Sequence, residues 1–255
     1  MNKYYRTFSK LHKRIHIVLC LTQEAVCAKL HTQYLSMEAI MNYRKSLYGS
    51  VACFILFLIL ILLVITVDVE AIGPQGTEVG LAGINGFFSE KLDYNKTCYR
   101  ITELLGYFAI LICAAFGAFG LYQIFKGRSL KAVDKDILIL GAFYIAVIAV
   151  YVFFEKVVIS YRPVILDEGL EASFPSSHTM LSVCVFISAI MELETRLPFR
   201  YVKPVSTAGI LLAAITVLFR FLSGVHWFTD ILGGILISAS LLFLFAYFFY
   251  NSISD

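Results

Sequence analysis

Apolar residues in this chain come in long unbroken blocks, with polar residues gathered between them. Six blocks can be drawn, at roughly 51–67, 104–125, 137–154, 176–193, 205–222 and 228–250. Each falls near the length of about 20 residues that a helix needs to cross the hydrocarbon layer. The first reads VACFILFLILILLVITV and holds no charge. Ser, Thr and Gly dilute the fourth and fifth, as expected of helices packed inside a bundle and lining a polar site. No run of about ten alternating residues suggests a barrel, and backbone groups in lipid must be satisfied internally. The pattern predicts an all-α, polytopic membrane protein, a six-transmembrane-helix bundle.

The basic residues give the bundle a side. Arg44 and Lys45 precede the first block, Lys126, Arg128, Lys131 and Lys135 crowd the second connection, and Arg196, Arg200 and Lys203 fall in the fourth. If the spans alternate, all three segments share one face, which the positive-inside rule makes cytoplasmic. Both termini are then expected in the cytoplasm. Residues 1–45 read as an N-terminal extension before a membrane domain at 46–255. Their short patch IHIVLCL is interrupted by His16 and followed by Thr22, Gln23 and Glu24, unlike a cleaved signal peptide. Met37 and Met41 are alternative starts. Asn95-Lys96-Thr97 matches a glycosylation acceptor by pattern alone.

Composition agrees with a lipid environment: 59% of the 255 residues are hydrophobic and only 15% charged, against about a quarter in soluble domains. A net charge of +3, scattered between apolar blocks, does not argue for a nucleic-acid partner. Cys20, Cys27, Cys53, Cys98, Cys113 and Cys184 lack CxxC or metal-finger spacing, so neither a disulfide framework nor a metal centre is expected from them.

Ionisable residues at membrane spans are costly and mark function by default. Three clusters stand at the ends of spans facing away from the basic connections. One is Lys156 with Arg162-Pro163, the next Pro175-Ser176-Ser177-His178, and the third Arg220, His226 and Asp230. Arg162 and Arg220 are permanent cations whose planar forks match phosphate oxygens. Pro175-Ser176-Ser177 reads as a helix start with a serine N-cap, where free N–H groups and the helix dipole favour an anion. His226 and Asp230 are four apart, so a helical turn would set the carboxylate beside the imidazole and fix its tautomer. The other ring nitrogen is then free to attack. His178, from another helix, is placed to protonate a leaving oxygen. Together these groups suffice for phosphoryl transfer without metal. Each piece has a plainer reading: a helix-end hydrogen bond for His226 and Asp230, an interfacial anchor for Arg162-Pro163, a simple cap for the serines. His12, His16 and His31 read as solvated. Asp167, Glu168 and Glu171 read as a solvated loop, or as holders of a divalent cation near a diphosphate.

In their order and spacing the clusters resemble the type-2 phosphatidic acid phosphatase superfamily, which includes the vanadium haloperoxidases and carries the signature K-x6-R-P, P-S-G-H and S-R-x5-H-x3-D. The resemblance spans residues 155–230 by motif. It implies His226 as nucleophile, Asp230 as its orienting partner and His178 as general acid, with Arg162, Arg220, Ser176 and Ser177 holding phosphoryl oxygens. Three positions depart from the pattern. Phe219 stands for the serine before the third-motif arginine, and Ser177 for the glycine of P-S-G-H. Glu155 occupies the lysine position, so Lys156, a further phosphate contact to be expected, lies one residue late and about 100° around a helix.

The resemblance implies a lipid phosphate phosphatase in the cell membrane, its site at the outer face. Polyprenyl (undecaprenyl) diphosphate is the first substrate expected, hydrolysed through a phosphohistidine without cofactor. Phosphatidic acid or phosphatidylglycerophosphate is the alternative within the same chemistry. A lipid phosphotransferase and a catalytically weak lipid-phosphate-binding relative are the rival classes.

Overall fold

A computed structural model describes residues 45–166 and 169–254. The expectations for residues 1–44, including the three extension histidines, Cys20, Cys27, Arg44 and the alternative starts, lie outside the described residues, as do those for Asp167 and Glu168.

Among the described residues there are seven α-helices, six of them long and apolar enough to cross a membrane. They are α1 (Lys45–Thr66), the short α2 (Ala82–Ser89), α3 (Lys96–Gly127), α4 (Lys135–Lys156), α5 (Ser177–Arg196), α6 (Phe199–Leu222) and α7 (Phe228–Ser254). The predicted six-helix bundle is the observed one. Several boundaries move outward, because charged residues extend helices past the hydrocarbon layer. α3 begins at Lys96 rather than near residue 104: the Asn95 carboxamide accepts from the N–H groups of Thr97 and Cys98 and caps it. α6 begins at Phe199, so Arg200 and Lys203 belong to its first turns rather than to a connection.

α5 lies at the centre, packed against α3, α4, α6 and α7. Of its most apolar stretch 56% is buried, against 17% for α6. The dilution of α5 by Ser and Thr therefore marks burial, as expected, whereas α6 faces outward. α6 approaches α5 at Gly209, where a β-carbon would come 2.7 Å from Ile190. α1 packs through Phe57, Leu60 and Val64 onto a core that includes Leu140, Phe143, Val147 and Phe245. The Ser240 hydroxyl also donates to the Ser50 carbonyl at 3.0 Å, joining α7 to α1.

The three connections that carry the chemical clusters are knitted together at one end of the bundle. In the α4–α5 connection, Ser173 N–H donates to Ser160 O at 2.9 Å and Arg162 N–H to Glu171 O at 3.1 Å. This short antiparallel pairing sets Arg162 and Ser173 on a braced backbone. Trp227 Nε1–H donates to the Tyr161 carbonyl at 2.7 Å, tying the α6–α7 turn to the same loop. Asn85 of α2 donates to Thr229 Oγ1 at 3.0 Å and accepts the Thr229 N–H at 3.2 Å, so the α1–α3 connection covers the start of α7. The turn before His226 requires Gly224. Its φ is +67°, and a β-carbon there would stand 2.9 Å from the Leu92 carbonyl.

Candidate active site

His226 is fully buried within this end of the bundle, its side chain 1% exposed. It precedes α7, so the predicted helical turn between it and Asp230 does not form. The contact is made through Ser173 instead. The Ser173 hydroxyl donates to Asp230 Oδ2 in a short hydrogen bond. Its one proton thus committed, Ser173 Oγ accepts Nδ1–H of His226 at 3.0 Å. The direct His226 Nδ1 to Asp230 Oδ2 separation is 3.5 Å. This chain fixes the tautomer: Nδ1 carries the proton, and Nε2, buried and without a hydrogen-bond partner, keeps its lone pair.

Asp230 is itself held firmly. It is the third residue of α7 and reaches back to the Trp227 N–H at 2.8 Å, completing half of a capping box. Ser160 donates to its other oxygen at 3.4 Å. Burial, together with the positive charges of Arg220, Arg162 and His178, holds the His226 imidazole well below its usual pKa. It is therefore neutral, the form a nucleophile needs.

Arg162 and Arg220 are both buried and both incompletely used. Arg162 pairs with Glu171 through Nη2 at 2.8 Å, leaving Nε and Nη1 buried without partners. Glu171 is thus an ion-pair partner rather than a solvated loop residue. Arg220 is fully buried, with its guanidinium 5.0 Å from the Tyr99 ring centre. Its Nη1 donates to Thr102 at 3.2 Å and lies 3.6 Å from Glu103, while Nε and Nη2 have no partner. The predicted serine cap is not made: Ser176 is the N-cap of α5, yet its hydroxyl makes no capping bond and is buried without a partner. His178 pairs through Nε2 with Glu103 at 3.0 Å, and its Nδ1 is likewise unpartnered. Unpaired buried donors are expensive. Here they belong to Arg162, Arg220 and Ser176, from three chain segments, a complement suited to an oxyanion.

The structure therefore brings His226, Asp230, His178, Arg162, Arg220 and Ser176 into one polar region. Ser177 opens α5 beside His178 and lines an adjoining cavity of about 540 Å³. Lys156 is not brought in. It ends α4 exposed, with no hydrogen bond or ion pair among the described residues. Among the described residues no group of three His, Cys, Asp or Glu side chains is placed to hold a metal ion.

Two contributors were missed in the sequence. Ser173 carries no signal of its own, being one serine in a loop. Glu103 carried a signal: it is an acid at the head of an apolar block, which the block's assumed start at residue 104 excluded.

The cavity extends between α3 and α4 from His178 and Glu103, along Tyr107, Ile110, Tyr144 and Ile148. A polar cluster of cations and histidines thus stands at one end of a membrane-spanning helical bundle, beside an apolar cavity. Residues 140–254 match the PAP2 superfamily. Over 92 residues it is 33% identical to phosphatidylglycerophosphatase B of Bacillus subtilis (strain 168), covering 35% of this chain and 44% of that protein. The match thus spans less than half the length of this curated relative. The fold is similar to the crystal structure of a transmembrane PAP2-type phosphatidylglycerolphosphate phosphatase from Bacillus subtilis, with a TM-score of 0.53 and 22% identity over 78% of this chain and 94% of the other.

Proposed function

We propose that the chain is an integral-membrane lipid phosphate phosphatase working through a phosphohistidine. The observation that carries this reading is the unpartnered, buried Nε2 of a neutral His226, among unsatisfied donors of Arg162, Arg220 and Ser176. Nε2 attacks phosphorus and the bond from phosphorus to the leaving oxygen breaks, while the two guanidiniums and Ser176 hold the charged equatorial oxygens. His178 gives the proton of Nδ1–H to the leaving oxygen. Water then attacks the phosphohistidine, surrendering a proton to the same Nδ1 as the N–P bond breaks. The adjoining apolar cavity suits the lipid tail, and it is His178 rather than His226 that lines it. The leaving group is thus assigned to the His178 side.

Phosphatidylglycerophosphate is the substrate favoured by the name of the curated relative. Polyprenyl diphosphate is the second reading, supported by the basic residues at the far end of the spans, which by the positive-inside rule favour an outer-face site and cytoplasmic termini. The test is phosphate release by the purified full chain in EDTA from a panel of phosphatidylglycerophosphate, phosphatidic acid and undecaprenyl diphosphate, beside His226→Ala. Release that persists in EDTA and vanishes in the variant is expected, because guanidiniums supply the positive charge. No release from any of the panel, or equal release by His226→Ala, contradicts the proposal.

A further inference from the structure

Glu103 sits on α3, in a membrane-spanning helix where a carboxylate is costly. Two partners offset that cost: His178 Nε2 at 3.0 Å and Arg220 Nη1 at 3.6 Å. The residue also lines the apolar cavity, next to Gly106 and Tyr107. Gly106 lets α3 close on the histidine, since a β-carbon there would stand 3.1 Å from His178 Cδ2. The result is a carboxylate and an imidazole fixed face to face at the mouth of the cavity.

We propose that Glu103 is the positioning residue of the general acid, a role that rests on the phosphatase reading above. By accepting from Nε2–H, it fixes the His178 tautomer so that Nδ1, buried and unpartnered, is the nitrogen that exchanges protons. When Nδ1 holds its proton, both ring nitrogens are donors, and Glu103 faces the resulting imidazolium. The site thereby contains two histidine–carboxylate pairs of opposite polarity. His226 is held at Nδ1, through Ser173, and works at Nε2. His178 is held at Nε2, directly by Glu103, and works at Nδ1. The shared contact with Arg220 gives Glu103 a second task, balancing one of the two phosphate-binding cations. If balancing were its only role, removing the charge would affect phosphate binding and leave proton transfer untouched.

The test compares two amphiphilic phosphates bearing the same alkyl chain: dodecyl phosphate, whose alkoxide needs a proton to leave, and 4-dodecyl-2-nitrophenyl phosphate, whose phenolate does not. Glu103→Gln, close to isosteric, is expected to lower kcat on the alkyl ester by about 10- to 100-fold, within the range of general acid catalysis. On the aryl ester the loss should stay within about threefold of wild type, and KM should not rise on either. In a His178→Ala background the same substitution should cost nothing further on the alkyl ester, because the acid it positions is already gone. Gel filtration and thermal unfolding of Glu103→Gln and of the double variant guard against a folding defect in either. Equal losses on the two esters, or additive losses in the double variant, overturn the positioning role while leaving the phosphatase reading intact. A wild-type protein inert toward both esters overturns that reading first.

Discussion

The two ends of α5 carry clusters of charge that look alike in sequence and differ in how they are satisfied. At its last turn Arg196 is paired with Asp136 at 2.9 Å, with Glu192 at 3.3 Å and with Asp134 at 3.7 Å, and Glu192 is fully buried. One cation there faces three carboxylates. Roughly 30 Å away, by the helical rise along α5, Arg162 and Arg220 each keep two buried nitrogens without partners, and Glu171 and Glu103 contact only one nitrogen of each. The first cluster is an ion-paired junction between α4 and α5, its carboxylates outnumbering its cation. The second has donors to spare, and the complement it lacks is an anion with several oxygens. Both ends hold arginine nitrogens without a hydrogen bond, but those of Arg196 stand beside the equally unmatched oxygens of Glu192, whereas at the other end the unmatched groups include donors of Arg162, Arg220 and Ser176.

That contrast can be broken by substitution, with effects that fall in order. Arg220→Ala should lower kcat/KM by roughly 10²–10³-fold, the scale for losing a preorganised donor in the transition state. Arg220→Lys should recover little of it, because an ammonium lacks the two-pronged geometry. Steady-state kinetics on whichever lipid phosphate the panel selects will show both. Ser173→Ala removes the relay between His226 and Asp230 and should cost about 10- to 100-fold in kcat, as for other orienting partners. A loss under twofold would mean that the direct 3.5 Å approach of Asp230 suffices.

The pH profile gives a subtler reading. On the proposed mechanism the neutral imidazole of His226 is the reactive form, and burial with Arg220, Arg162 and His178 disfavours its protonation. The acid limb of kcat/KM should therefore lie well below pH 6.5 in the wild type. Removing one cation in Arg162→Ala should move that limb up, toward neutrality. At the structural end, Arg196→Ala should change kcat/KM by less than about threefold at low temperature. It leaves Glu192 buried without its cation, so the unfolding midpoint should fall by roughly 5 °C or more.

Much of the architecture was legible in the sequence because lipid imposes one rule, long uncharged helices, that leaves an uninterrupted pattern. Helix ends were less legible, since Asn95 and Pro198 start α3 and α6 within polar stretches that hydropathy reads as connections. At the site, Arg162, His178, Arg220, His226 and Asp230 were legible from type and spacing, because chemistry there demands particular side chains. The linkage between His226 and Asp230 was not. Spacing of four implies contact only inside a helix, and α7 begins two residues after the histidine. Ser173 enters through tertiary pairing of residues 160–162 with 171–173, which no local pattern announces. Lys156 shows the converse case. Its residue type fitted and its register did not, and the structure leaves it on the surface.

The central claim is that His226 Nε2 becomes bonded to phosphorus. Rapid acid-free quenching of the purified protein after mixing with a ³²P-labelled lipid phosphate, followed by peptide mapping, tests it most directly. The account predicts alkali-stable, acid-labile label on Nε2 of His226, stronger in His178→Ala supplied with an aryl ester and absent in His226→Ala. Label on any other residue, or on Nδ1 of His226, or label that survives in His226→Ala, would contradict it.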